Sequence, residues 1–356
     1  MDFPFKLPSR YSDTGKQFDG GQGSVFICKD SYLDRLVAIK VFEESSDTSQ
    51  LMKEVAAIQK VKSRHIAQIY DVISSQKGNR LGIVQEFVPG QHVSSHFKPS
   101  MPLEEYIKII YQIACGLFDI HHCGVVHRDV KPSNIKLDAE HVVKLLDFGL
   151  SAESRRPPIT HAARGTPYFL APEMYGNPPI KYTAAVDVFG FGVTARAIAE
   201  SGAMLPGFRQ TPPFANPLPD FANCKIALPQ EVVQILNQTL ESDPQKRPDI
   251  EVLRNTLERR LLYGKHRAVV TYAGMHELSV PGNSIKLRAG FGEVTIKYDG
   301  LVFMVESISG DVFLNNKRTQ IGSVLPDSCV ITLGAPSLGA GRTFAPFNVS
   351  HPGVVL

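Results

Sequence analysis

Residues 125–149 hold the densest chemistry in the chain: Val125-Val126-His127-Arg128-Asp129-Val130-Lys131-Pro132-Ser133-Asn134, then, one short hairpin later, Leu146-Asp147-Phe148-Gly149. Short apolar runs precede both polar clusters, the pattern of loops that leave buried elements and aim side chains into a cleft. Asp129 has the chemistry to accept a proton from a hydroxyl. Asn134 and Asp147 offer hard oxygen atoms suited to a cation such as Mg2+. Two carboxylates, a carboxamide and Lys131 so close together are equipment for phosphoryl transfer.

Length and composition narrow the surroundings of that chemistry. At 356 residues the chain exceeds the usual single domain, so two domains are expected. Hydrophobic residues at 43% and charged ones at 21% exclude a mainly disordered chain. A net charge of +3, with Lys and Arg evenly spread, argues against nucleic acid or a membrane surface as partner. Cys28, Cys115, Cys123, Cys224 and Cys329 form no C-x-x-C pair, which argues against a disulfide framework or zinc site and for a reducing compartment. Asp2, Pro4 and Pro8 interrupt the start where a signal peptide needs an apolar run. The apolar stretch 186–199 is broken by Asp187 and Arg196, so no membrane span is expected and the chain is read as cytoplasmic.

Residues 11–88 alternate turn signals with β-branched and aromatic runs. Gly20-Gly21-Gln22-Gly23 sits between two strand patterns, a turn whose small residues let backbone amides approach phosphate oxygens. Leu36-Val37-Ala38-Ile39-Lys40-Val41-Phe42 reads as a buried strand whose lysine needs a charge partner. Glu54, beside the apolar face of a helical pattern over 51–61, is the candidate. A strand over 81–88 ends at Pro89-Gly90. A long helix then follows from a Ser100 cap, with Ile107, Ile110, Ile113, Leu117 and Ile120 on one face.

These pieces resemble eukaryotic-type protein kinases. His127-Arg128-Asp129 with Asn134, and Asp147-Phe148-Gly149, match the catalytic and metal-binding loops H-R-D-x-x-x-x-N and D-F-G. Gly20, Gly23 and Val25 stand in register with the glycine-rich loop, Phe18 replacing its first glycine, and Val37-Ala38-Ile39-Lys40 matches the phosphate-holding lysine strand. Lys131-Pro132 after Asp129 is the serine/threonine-kinase form of the loop. Gly165 to Glu173 resembles the substrate-binding loop and A-P-E anchor, which small-molecule phosphotransferases lack. Asp187 resembles the aspartate that braces the catalytic loop, and Arg247 the arginine that pairs with Glu173.

The resemblance implies an α+β bilobal kinase fold over 11–262, with a β-rich N-lobe (11–88) and a helical C-lobe (89–262), after an N-terminal tail (1–10). It implies ATP and Mg2+ as cofactors. Asp129 and Lys131 act at the hydroxyl and the transferring group, Lys40 holds phosphates with Glu54, and Asn134 and Asp147 hold metal. Gly20, Gly21, Gln22, Gly23, Val25 and Ala38 line the nucleotide, Gln85 guards its rear, and the backbone from Glu86 to Val88 bonds the base. Lys136 takes the place of an aliphatic residue beneath the base, its stem covering the ring and its amine reaching water.

The segment 150–167 has no period and contains Ser151, Ser154, Thr160 and Thr166 among Arg155, Arg156 and Arg164. By resemblance Thr160, six residues before Thr166, is the activating phosphoacceptor whose phosphate pairs with Arg128, with Ser151 and Ser154 as rivals. Thr166 belongs to the substrate loop. From Gly264 the helical period gives way to short strand patterns at 269–272, 284–287, 293–296, 301–304, 312–314 and 330–333, an all-β sandwich over 264–356. Residues 311–318 and 326–334 loosely resemble the last strands of forkhead-associated domains. The phosphothreonine-contacting arginine and S-R-x-x-H loop have no counterpart, and Gly310 stands at the ligand-reading asparagine's place. Partners are thus protein substrates and a protein or phosphoprotein bound by the C-terminal domain. A pseudokinase scaffold and a small-molecule phosphotransferase are the alternative functions.

Overall fold

The computed structural model describes residues 3–20, 23–43, 48–75, 80–96, 101–147, 167–175, 182–202, 218 and 220–354; the side chains of residues 19, 43, 48–51, 54, 96 and 167 lie outside that description. Two compact units divide the chain, Met1–Leu257 and Glu258–Val355. The division falls within the last helix, a few residues before the expected boundary at 262.

In the first unit, strands β1 (Tyr11–Gly20), β2 (Gly23–Asp30), β3 (Arg35–Glu43), β4 (Ile69–Ser74) and β5 (Arg80–Glu86) form an antiparallel sheet in the order β1-β2-β3-β5-β4. Helix α1 (Thr48–Ile58) separates β3 from β4. It starts and stops about a turn earlier than its apolar spacing suggests, although Val55, Ile58 and Val61 are all buried. Successive side chains on a strand face opposite ways. Val37, Ile39 and Val41 therefore share a core with Phe26, Cys28, Ile73 and Val84, while Ala38 and Lys40 face the other side of the sheet. Gly20 pairs with Gly23 across the β1–β2 hairpin. The Gly21-Gln22 connection between them lies outside the described residues.

The first residues are no free tail. Phe3, Phe5 and Leu7 pack on the outer face of this sheet, with the Phe3 ring 4.9 Å from Phe5 and 4.7 Å from Phe26. Arg80 Nη1 donates to the Pro4 carbonyl at 3.0 Å. Arg10 grips the buried Asp30 carboxylate through Nε and Nη2 at 2.9 and 2.8 Å, and Tyr11 Oη donates to Asp71 at 3.0 Å. Apolar residues at every second position explain the strap, but five residues with a proline among them are too short to announce a packed segment.

The helical lobe contains α2 (Leu103–His122), α3 (Ala184–Ala199), α4 (Gln230–Thr239) and α5 (Ile250–Leu262), plus a small antiparallel sheet of β6 (Gln91–His92), β7 (Ile135–Leu137) and β8 (Val143–Leu145). The expected isoleucine stripe of α2 is buried along its length. Its cap position is Pro102 rather than Ser100, and Glu104 and Glu105 in the first turn complement the helix dipole. Helix α3 is buried all round, as expected of a helix apolar on every side. A Cβ on its Gly190 would come within 3.1 Å of the Val130 carbonyl oxygen, so the missing side chain lets the loop around Val130 lie directly on the helix.

Beyond the end of α5, the second unit is built of β-strands. Strands β9 (Arg267–Thr271), β10 (Met275–Leu278), β14 (Val312–Leu314), β15 (Lys317–Arg318), β16 (Ser328–Leu333) and β17 (Thr343–Ser350) form one sheet in the order β10-β9-β17-β16-β14-β15. A second sheet holds β11 (Ser284–Ala289), β12 (Gly292–Tyr298) and β13 (Phe303–Gly310). Residues from both sheets, among them Val270, Leu287, Ile296, Tyr298, Phe303 and Phe347, share one core. Strand β17, absent from the sequence reading, is central to its sheet despite Pro346. The β9 ladder begins only at Phe347, so Pro346 sits where the strand is paired on one side alone.

The Arg10 hydrogen bond, ahead of its charge, lowers the Asp30 carboxyl from 3.8 to about 2. A depressed folded value stabilises at pH above the unfolded one and is lost on acidification. The wild type is therefore expected to lose thermal stability in Asp30→Asn fashion as pH falls from about 4 to about 2. An Arg10→Ala protein followed by circular dichroism should show a weaker dependence across that window; an identical acid profile for the two proteins refutes the assignment.

Candidate active site

The loop 127–134 is held by a buried carboxylate on α3. Asp187 Oδ2 accepts the His127 N–H and Oδ1 the Arg128 N–H, each at 2.7 Å. His121 Nε2 lies 2.7 Å from Oδ2, so Asp187 serves the end of α2 as well. Arg128 consequently adopts φ 70°, a left-handed conformation that non-glycine residues rarely take. Thr194 Oγ1 donates to the Val130 carbonyl at 3.3 Å from a later turn of α3.

Beyond that brace the side chains converge on Asp129. Asn134 Nδ2 donates to the Asp129 carbonyl at 2.9 Å and to its Oδ2 at 2.7 Å, and Lys131 Nζ lies 2.8 Å from the same oxygen. The carboxylate is thereby oriented by one amide and one ammonium. His127 is buried, and desolvation holds its pKa below the usual imidazole range. Its neutral ring can accept the Asp129 N–H at Nδ1, 3.4 Å away. Asn134 is tied onward to the Leu146-Asp147 segment, because its carbonyl accepts the Leu146 N–H at 2.8 Å.

From the sheet side, Lys40 Nζ donates to Asp147 Oδ1 at 2.9 Å. Lys40 is buried and Asp147 has φ 53°. The lysine's described partner is thus Asp147; the side chain of the expected partner, Glu54, lies outside the described residues. Ala38, opposite Gln85 in the β3–β5 ladder, and Val25, opposite Lys40 in the β2–β3 ladder, share this side of the sheet. The Glu86 carboxylate is held by Lys144 of β8 at 2.9 Å, and its backbone N–H is spent on the Gln68 carbonyl at 2.8 Å. Lys136 departs from expectation: its amine turns onto the Val88 carbonyl oxygen at 3.0 Å instead of reaching water.

The anchor pair is present as the sequence suggests. Arg247 Nη1 and Nη2 donate to Glu173 Oε1 and Oε2 at 2.7 and 2.8 Å, and Arg247 Nε donates to the Glu241 carbonyl at 2.8 Å. The Arg128 guanidinium lies over the Tyr182 ring, 5.1 Å from its centre. Phe148, Gly149, Thr160 and Thr166 lie outside the described residues. No helix among the described residues is long and apolar enough to cross a membrane.

The protein kinase domain family model matches residues 13–257. The chain belongs to the protein kinase family. Among curated relatives it is 30% identical over 207 residues to serine/threonine-protein kinase 4 homolog B of Dictyostelium discoideum, covering 55% of this chain and 18% of that one. It is 31% identical over 186 residues to serine/threonine-protein kinase drp72 of Corynebacterium efficiens, covering 49% and 35%. Against serine/threonine-protein kinase PknA of Corynebacterium glutamicum the values are 32% over 186 residues, 49% and 39%. The matched stretch thus spans well under half the length of these kinases.

Three residues that organise the site carried no motif: His121, Lys144 and Tyr182. Each acts through a partner distant in sequence, so even His121, six residues before His127, and Lys144, three before Asp147, gave no sign of what they hold.

Removing Glu173 leaves a fully covered arginine side chain without its carboxylate. Glu173→Ala should destabilise the first unit by about 3 kcal/mol, seen as a lower denaturant midpoint. A midpoint within error of wild type shows that the pair is dispensable.

Proposed function

We propose that the protein is a serine/threonine kinase that transfers the γ-phosphoryl group of MgATP to protein hydroxyls. The supporting observation is an Asp129 oriented by Asn134 and Lys131, with Asn134 bonded onward to Leu146 beside the Lys40–Asp147 pair. The Asp129 carboxylate, whose Oδ2 is held by Asn134 and Lys131, would orient a substrate hydroxyl and take its proton. Lys131, already beside that oxygen, offsets charge on the group in transfer. Lys40 supplies a cation from the sheet for phosphate oxygens, and Ala38 and Val25 leave the adjoining surface apolar.

The donor set suits magnesium. The Asn134 carboxamide oxygen and the Asp147 carboxylate are hard ligands, and Mg2+ is commonly held by one or two protein groups, with phosphate oxygens and water completing its shell. No cluster of three or more His, Cys, Asp or Glu among the described residues offers a dedicated all-protein metal cage. Bound there, the ion would draw charge from the phosphate oxygens.

Asp129→Ala, Asp147→Ala and the double variant should fall to one common low rate with radiolabelled ATP and a generic serine/threonine peptide, because residues acting as a unit are not additive. Near wild-type transfer by Asp129→Ala rejects this role. A pseudokinase would show no transfer in the wild type either.

For regulation, the favoured phosphoacceptor remains Thr160, with Ser151 and Ser154 as rivals, and Arg128 as the cation that meets the phosphate. Mass spectrometry after incubation with MgATP should find Thr160 modified in the wild type and not in Asp129→Ala. An unmodified Thr160 in an active preparation overturns this assignment.

The C-terminal unit reads best as a protein-binding module of forkhead-associated type that does not recognise phosphothreonine. Gly310 has φ 75°, and a Cβ there would lie 2.7 Å from the Phe291 carbonyl oxygen. No asparagine fits that backbone, so the ligand-reading side chain has no place to stand. Peptides with and without phosphothreonine should bind the full chain equally weakly in fluorescence anisotropy; a clear preference for the phosphorylated form contradicts this.

A further inference from the structure

The sheet β6–β8 presents His92, Lys136 and Lys144 at paired positions, His92 opposite Lys136 and Lys136 opposite Lys144, so all three share one face. Two of them grip the segment 86–88. Lys144 takes the Glu86 carboxylate and Lys136 takes the Val88 carbonyl. Lys136 is partly buried, and that burial lowers its pKa below the usual lysine value. The Phe87 ring centre lies 5.8 Å from its Nζ. An ammonium thus occupies a backbone acceptor on the segment assigned to bonding the base.

We propose that Lys136 is a specificity-determining residue that selects the nucleotide base, discriminating against purines that carry an amino group at C2. The inference rests on the ATP-binding reading above. An adenine bonded by this backbone offers two groups on one edge, the 6-amino donor and the N1 acceptor. If the amino group meets Glu86 and N1 meets Val88, the carbon next along that edge is C2, and it falls toward the Val88 carbonyl. Adenine carries only C–H there. Guanine and 2,6-diaminopurine carry N–H2, a donor that would seek the same oxygen as the Lys136 ammonium. A carbonyl has two lone pairs, but two donors brought to one oxygen, one of them a cation, repel each other. The penalty falls on the 2-amino base alone, because it must either share the acceptor or leave its own donor unsatisfied.

The pair of probes that isolates this contact is ATP and 2,6-diaminopurine riboside triphosphate, which differ only at C2. Their dissociation constants for the wild type and for Lys136→Met are read by displacement of a fluorescent nucleotide, without turnover. Methionine keeps an unbranched apolar stem beneath the base and removes the donor. The wild type should prefer ATP, and Lys136→Met should shrink the ratio of the two constants by roughly tenfold, the worth of about one hydrogen bond. Lys136→Arg, which keeps the cation, should retain the wild-type preference, and circular dichroism melts verify that all three proteins are folded. An unchanged ratio in Lys136→Met while both nucleotides bind overturns the role of Lys136 and leaves the kinase reading standing. Failure of the folded wild type to bind either nucleotide overturns both.

Discussion

A single carboxylate, that of Asp187, holds the loop 127–134 in a shape it would not choose. Left-handed backbone at a residue with a Cβ costs about 1–2 kcal/mol, and Arg128 adopts it. Two backbone N–H groups donated to one buried charge offset that cost, since hydrogen bonds to an ionised acceptor are about twice as strong as neutral ones. The same oxygen that receives the His127 N–H also lies against His121, so the loop's position is referred to α2 as well as α3. The direction in which Asp129 points follows from this brace, and the contacts of Lys131 and Asn134 follow from Asp129. A carboxylate on a rigid helix is therefore more than a packing detail, because the loop has no regular ladder of its own to fix it.

Helix α3 can carry this load because of what it lacks. Gly190 lets Val130 approach, and Gly192 does the same for Thr239, whose Oγ1 would stand 2.1 Å from an added Cβ. Phe189 and Phe191 are fully buried and fill the space around these gaps. The helix thus combines close backbone approach on some sides with large aromatic volume on others, the interlocking that dense interiors require.

Much of this was legible in the sequence, and the parts that were not have a common cause. Asp129, Asn134, Asp147, Lys40 and Arg247 stand in local strings whose spacing carries information, and the stripe of α2 and the strand of Lys40 follow from simple periods. Long-range partnerships have no such signature. That Lys40 meets Asp147, that Lys144 holds Glu86, or that Arg10 grips Asp30 depends on how elements from distant parts of the chain are brought together. Strand β17 was hidden by Pro346, whose meaning changes once the extent of the neighbouring ladder is known. Lys136 was visible as an odd residue, but the direction of its amine is decided by Val88, which only folding supplies.

The Lys40–Asp147 contact joins a strand of the sheet to a loop residue, 107 residues later, through one ammonium and one carboxylate. The two neutralise each other across that contact, so a change at either position alters two charges' surroundings at once. Replacing the lysine by an uncharged residue removes a cation and also takes from the Asp147 carboxylate the counter-charge 2.9 Å away. A variant made by that single replacement is consequently a poor stand-in for the folded wild type in binding studies. Neutralising both positions together would keep the cleft closer to its original electrical balance.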